Sequence, residues 1–97
     1  MSTTDLPASV RIGPLVFSVE IVDRLQDNEQ KSLDGHITYG DCTIRINSRL
    51  CPQMRHQVLW HEVIHGILSV SGLELEEEKV DILAYGLMRF RQDNPEL

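Results

Sequence analysis

At 97 residues the chain has room for one small domain with a single core and none for a second lobe with a core of its own. Its 41% hydrophobic and 25% charged content is ordinary for a globular protein, and no apolar run is long enough to span a bilayer. Fifteen acidic residues against nine basic ones give a net charge of −6, which repels a phosphate backbone and argues against nucleic acid as a direct partner. Cys42 and Cys51 are too few for a secreted disulfide framework and lack CxxC spacing, so two free thiols in a reducing compartment are expected. Cys51 is read as a small buried hydrophobe rather than a ligand.

Met1-Ser2-Thr3-Thr4-Asp5 has neither the basic stretch nor the apolar stretch of a secretory leader, and a cytoplasmic site of action is expected. Residues 1–9 are polar with one proline and are expected to form a flexible tail, leaving 10–97 as the single folded domain. From Leu15 the pattern alternates, with Leu15, Phe17, Val19 and Ile21 on one side, as a strand with one buried face requires. Residues 26–34 form a charged, amide-rich connection ended by Gly35. His36-Ile37-Thr38-Tyr39 is a second short strand, Gly40-Asp41 has turn chemistry, and Cys42, Ile44 and Ile46 alternate in a third. Residues 36–47 are therefore expected to form a hairpin. Arg45, Arg49 and Arg55 cluster near the end of this region and are read as solvated surface.

Pro52 suits a first helical position, and a helix is predicted to run to residue 71, with Gly72 as its stop. Its middle carries His61-Glu62-Val63-Ile64-His65, an HExxH pentapeptide. Residues four apart on a helix project from one face with Cβ atoms about 5–6 Å apart, so both imidazoles can reach one ion. The adjacent Glu62 can then act on a water at that ion without being a ligand. Val58, Leu59, Trp60, Val63, Ile64, Ile67, Leu68 and Val70 point in nearly every direction around the helix, which predicts cover on most sides. Histidines and a glutamate in such surroundings require a hydrogen-bonding network or an ion.

A last helix is predicted over residues 75–91, antiparallel to the first, with Val80, Leu83, Ala84, Leu87 and Met88 as its apolar stripe. The fold class is therefore α+β, a mostly antiparallel sheet of about three strands packed on two long helices. A catalytic zinc takes three protein ligands and leaves a position to water, so HExxH needs a third. His36, at a strand start, and His56, off the ligand face, are poorly placed. The acidic entrance to the last helix is better: Glu76 and Glu77 both flank its stripe, Glu78 faces away, and periodicity does not choose between the first two. Asp81 is a further candidate, as a ligand or as the partner that orients a histidine Nδ1–H.

His61-Glu62-Val63-Ile64-His65 followed by Glu77-Glu78-Lys79-Val80-Asp81-Ile82-Leu83-Ala84 resembles the ImmA/IrrE-type metallopeptidases and their small phage-encoded relatives. The resemblance covers roughly residues 35–91, as pattern rather than identity, and includes the preceding Ile44-Arg45-Ile46-Asn47 strand. It implies a minimal zincin-like fold and a phage or prophage protein, and matching Val80 to the small apolar position of the family's E-x-x-[A/V] segment implies Glu77 as the third ligand. Leu87-Met88-Arg89-Phe90 departs from the leucine-leucine-methionine-proline segment of longer members. The function expected is a zinc metallo-endopeptidase in which His61, His65 and Glu77 bind one Zn²⁺ and Glu62 is the general base in hydrolysis of a peptide bond. Tyr39, Tyr85 and Arg45 are candidates for an oxyanion donor. The strand before the motif helix is the expected edge for an extended substrate, with no evident side-chain pocket to set specificity. The alternative is a non-catalytic binding or regulatory module that keeps the metal for stability. The oligomeric state is left open.

Overall fold

In the computed structural model, which describes residues 6–97, the centre of the sheet is the strand just before the motif helix. The strands are β1 (Ser9–Ile12), β2 (Leu15–Val22), β3 (Gly35–Thr38) and β4 (Thr43–Asn47), followed by helices α1 (Pro52–Ser71) and α2 (Glu77–Asp93). Their order across the sheet is β1-β2-β4-β3. β1 pairs antiparallel with β2 and β3 antiparallel with β4, but β2 and β4 run parallel, with Val19 opposite Ile44 and Ile21 opposite Ile46.

Four strands in a mixed sheet replace the expected three in a mostly antiparallel one. Alternation along a strand shows which residues share a face but not which strand lies alongside. Here the connection of residues 23–34 carries the chain past the β4 position to the far edge. β3 then returns as a hairpin and inserts β4 beside β2. A buried amide holds that connection: Asn47 is 1% exposed, and its Nδ2 donates to the Leu33 carbonyl at 2.9 Å.

The extra strand, β1, lies partly in the expected tail. Ile12 pairs with Leu15 across a two-residue turn, Gly13-Pro14, in which Gly13 takes φ +56°. The Ala8 carbonyl accepts a bond from the Val19 N–H at 2.9 Å, and Leu6 packs against the core, so the described end of that tail belongs to the sheet. Its residues 1–5 lie outside the described residues.

One sheet face carries the apolar side chains that meet α1. Phe17, Ile44 and Ile46 are fully buried there and pack with Ile12, Val58 and Leu59. Two glycines allow the close approach. A Cβ on Gly35 would lie 2.4 Å from Val58 Cγ1, and one on Gly66 would lie 2.7 Å from Ile12 Cδ1.

α1 ends at Gly72, whose φ of +75° lets its N–H reach the Ser69 carbonyl at 3.1 Å while the Leu73 N–H reaches that of Leu68 at 2.9 Å. The reversal lays α2 back along α1, where Val80 and Ala84 pack on Ile64, Trp60 and Leu68. Among the described residues α2 packs on α1 and on no strand, so only a narrow arc of it is covered. Leu83 and Leu87, expected in the buried stripe, are therefore exposed, as are Ile67 and Val70 of α1. Cys51 is also exposed, since it occupies the N-cap of α1, a helix-end position rather than a core one. Among the described residues no helix is long and apolar enough to cross a membrane.

Candidate metal centre

His61 and His65 sit one turn apart on the side of α1 between its sheet-facing and α2-facing surfaces, and the first turn of α2 meets them there. Glu77 Oε2 lies 3.0 Å from His61 Nε2, and Glu77 Oε1 lies 2.7 Å from His65 Nε2. The two Nε2 atoms are 3.1 Å apart. Donor atoms of His61, His65 and Glu77 thus all lie within 4.8 Å of one another, and this group could hold a metal ion.

The donor chemistry fits such an ion. Asp81 Oδ1 stands 2.6 Å from His61 Nδ1, which places the proton of a neutral imidazole on Nδ1 and leaves a lone pair on Nε2. That lone pair faces His65 Nε2 and a carboxylate, so the cluster is satisfied either by a proton on His65 Nε2 or by a cation held among the three groups. Ligands of a tetrahedral zinc at about 2.0–2.1 Å lie roughly 3.3 Å apart, so small outward movements would accommodate one.

Glu62, next to His61, turns toward the sheet instead. It is 7% exposed, and its Cγ lies 3.4 Å from where a Gly35 Cβ would stand. Burial is the main reason its pKa is pushed up to about 7; the charge of His61 opposes the rise and that of Glu77 adds to it.

The site opens into a cleft of about 850 Å³, with Gly35, Ile37 and Tyr39 on one wall and Glu77 and Asp81 on the other. A second hollow of about 790 Å³ shares Tyr39 and His65 with it and continues past Leu68 to Leu73 and Leu75. Sequence patterning gave no sign of this hollow, because its apolar residues come from three places, the end of α1, the turn and the entrance to α2.

The strand that lines the cleft is β3, not β4. β4 has neighbours on both sides, whereas β3 is the sheet edge, which corrects the expectation that the strand before the motif helix receives substrate. The Asn47 N–H donates to the Asp34 carbonyl at 2.8 Å, and antiparallel alternation then turns the backbone groups of Gly35 and Ile37 away from β4 toward the cleft. A backbone edge has no composition signal; Gly35 bounding a short strand was the one hint.

The other candidates separate clearly. Glu76 occupies the N-cap of α2, and its carboxylate pairs with Lys79 at 3.5 Å rather than with the histidines. His36 is exposed at the cleft rim. His56 stays outside the cleft, with a buried Nε2 that has no partner among the described residues. Of the three oxyanion candidates, only Tyr39 borders the cleft. Tyr85 is half exposed elsewhere on α2. Arg45 alternates with Ile44 and Ile46, so it lies on the sheet face away from α1. There it donates to Asp41 at 2.8 Å and to Thr38 at 3.0 Å. The bond from Arg45 first, and then one donated to Asp41 by the Thr38 hydroxyl, lower the pKa of the Asp41 carboxyl to about 2. No family model, curated protein or solved structure matches the chain.

Proposed function

We propose that this chain is a zinc-dependent endopeptidase with His61, His65 and Glu77 as ligands and Glu62 as general base. The observation that carries the reading is the convergence of those three donors beside a buried glutamate, in a cleft walled by an open strand edge. When bound, zinc supplies Lewis acidity, making water acidic near neutral pH and drawing electron density from a carbonyl oxygen. Glu62 takes the proton of the attacking water and delivers it to the nitrogen of the departing amine. Asp81 keeps the His61 ring in one orientation and one tautomer. The free N–H and C=O groups of Gly35 and Ile37 hold an extended substrate as an added strand. A substrate residue passing Tyr39 enters the hollow lined by Leu68, Leu73 and Leu75 together with Ser69 and Glu74, a mixed lining that gives the site a source of specificity. The resemblance of the HExxH and Glu77-Glu78-Lys79-Val80 segments to ImmA/IrrE-type peptidases supports the same reading.

One observation favours a second reading, a non-catalytic module stabilised by its metal. α2 rests on α1 alone, and Glu77 and Asp81 bind its start to the histidines, so an ion there would fasten the two helices together. Metal analysis of untagged protein, combined with hydrolysis of a quenched-fluorescent peptide library, separates the two. The peptidase reading expects one zinc per chain, lost in Glu77→Ala, and turnover lost in Glu62→Gln with zinc retained. Zinc without turnover selects the module, and no zinc uptake on titration overturns both.

A further inference from the structure

α2 carries a second apolar stripe that the rest of the described chain leaves uncovered. Val80 and Ala84 pack on α1, and Met88, one turn further along the same side, is buried with them. Projected at about 100° per residue, Leu83, Leu87 and Phe90 form an adjoining stripe centred roughly 90° from the buried one, with Leu87 next to Val80. They are 43%, 43% and 53% exposed, and their spacing is that of a helix-pairing seam. Gly86 lies on one flank of this seam, and a Cβ built there would meet nothing within 4 Å. On the same flank, Lys79 and Asp93 stand about two turns before and after Gly86.

This arrangement matches itself. If two such helices lie antiparallel and cross at Gly86, Leu83 of one meets Phe90 of the other, and the missing side chain lets the backbones approach. Residues on one flank of an antiparallel pair face the same flank of its twin, so Lys79 of each copy meets Asp93 of the other. A parallel pairing would hold Lys79 of one copy and Asp93 of the other roughly 21 Å apart along the axis, at about 1.5 Å per residue. Among the described residues Lys79 and Asp93 pair with near neighbours in the chain, Glu76 at 3.5 Å and Arg89 at 3.4 Å, and such exposed pairs exchange partners at little cost.

We propose that two copies of this chain associate through α2, antiparallel about Gly86, with Leu83, Leu87 and Phe90 as the apolar seam. Around the helix Val80 lies between that seam and Glu77 and Asp81, and no seam residue lines the cleft, so the pairing does not depend on the peptidase reading.

The test is sedimentation equilibrium of the full chain from low to high micromolar concentration, with circular dichroism of every variant to establish that it is folded. A reversible dimer is expected for the unaltered protein and a monomer for Leu83→Glu combined with Leu87→Glu. Lys79→Glu and Asp93→Lys should each weaken the dimer roughly tenfold by setting like charges together twice, and the two combined should restore it. A monomer at all concentrations overturns the proposal and leaves the seam to a different partner. So does a dimer indifferent to the leucine changes, or a charge-swapped pair that recovers nothing.

Discussion

The two walls of the cleft are built differently. The wall of β3 and α1 is part of the core: Glu62 is 7% exposed, and Gly35 allows Val58 to press against the strand. The wall of α2 is a helix on a helix, with the side chains of Glu77 and Asp81 70% and 67% exposed. Glu62, the general base of the proposed reaction, is thus positioned by packing, while Glu77, the proposed third ligand, and Asp81, which bonds His61, ride on an element with few other attachments. Such a division expects ion binding and the docking of α2 to be one event.

On the proposed reading, the strongest way to break this contrast is to withdraw zinc. At free zinc about a thousandfold above the dissociation constant, binding contributes about 4 kcal/mol, and chelation should remove it. Amide exchange should then rise over α2 while β2 and β4 keep their protection; equal loss in both regions would refute the contrast. Next comes Gly35→Ala, which forces a methyl group onto Val58. A cost of about 1–3 kcal/mol is expected in denaturant unfolding, with α2 affected no more than the sheet. Asp81→Asn should weaken zinc affinity about 10–100-fold in a competition titration with a chromophoric chelator and leave unfolding of the metal-free protein nearly unchanged.

The smallest effect lies outside both walls, at Asp41. Its folded-state pKa is depressed from 3.8 to about 2, so its stabilising contribution is fully present above the unfolded value and is lost as pH falls through the folded one. A carboxyl-carbon NMR titration should show a midpoint near 2, returning toward 3.8 in Arg45→Gln. An unchanged midpoint would detach Asp41 from Arg45.

What was legible in the sequence follows the same division. Pro52 and Gly72 bracket α1 because each signals through its own backbone chemistry. The histidine spacing announces a face on which both rings meet. Choosing Glu77 over Glu76 from helical periodicity was not possible, since both lie within a turn of the stripe; the choice rests on where the backbone becomes helical, with Glu76 as the cap. β1 was missed because Gly13-Pro14 lies beside a polar stretch, and its turn chemistry carried less weight than the composition around it. The exposure of Leu83 and Leu87 was illegible in principle, since an apolar stripe does not state how much of it the fold will cover.

The parallel pairing of β2 with β4 also bears on how the chain assembles. Ser18 lies opposite Thr43, so the central ladder joins segments far apart along the chain, with β3 threaded between them. The α1–α2 hairpin, by contrast, closes through one tight turn. Loop-closure entropy makes the central ladder the costlier contact to form, so the helical hairpin can gather its imidazoles and carboxylate before the strand edge that would present a substrate to them is in place.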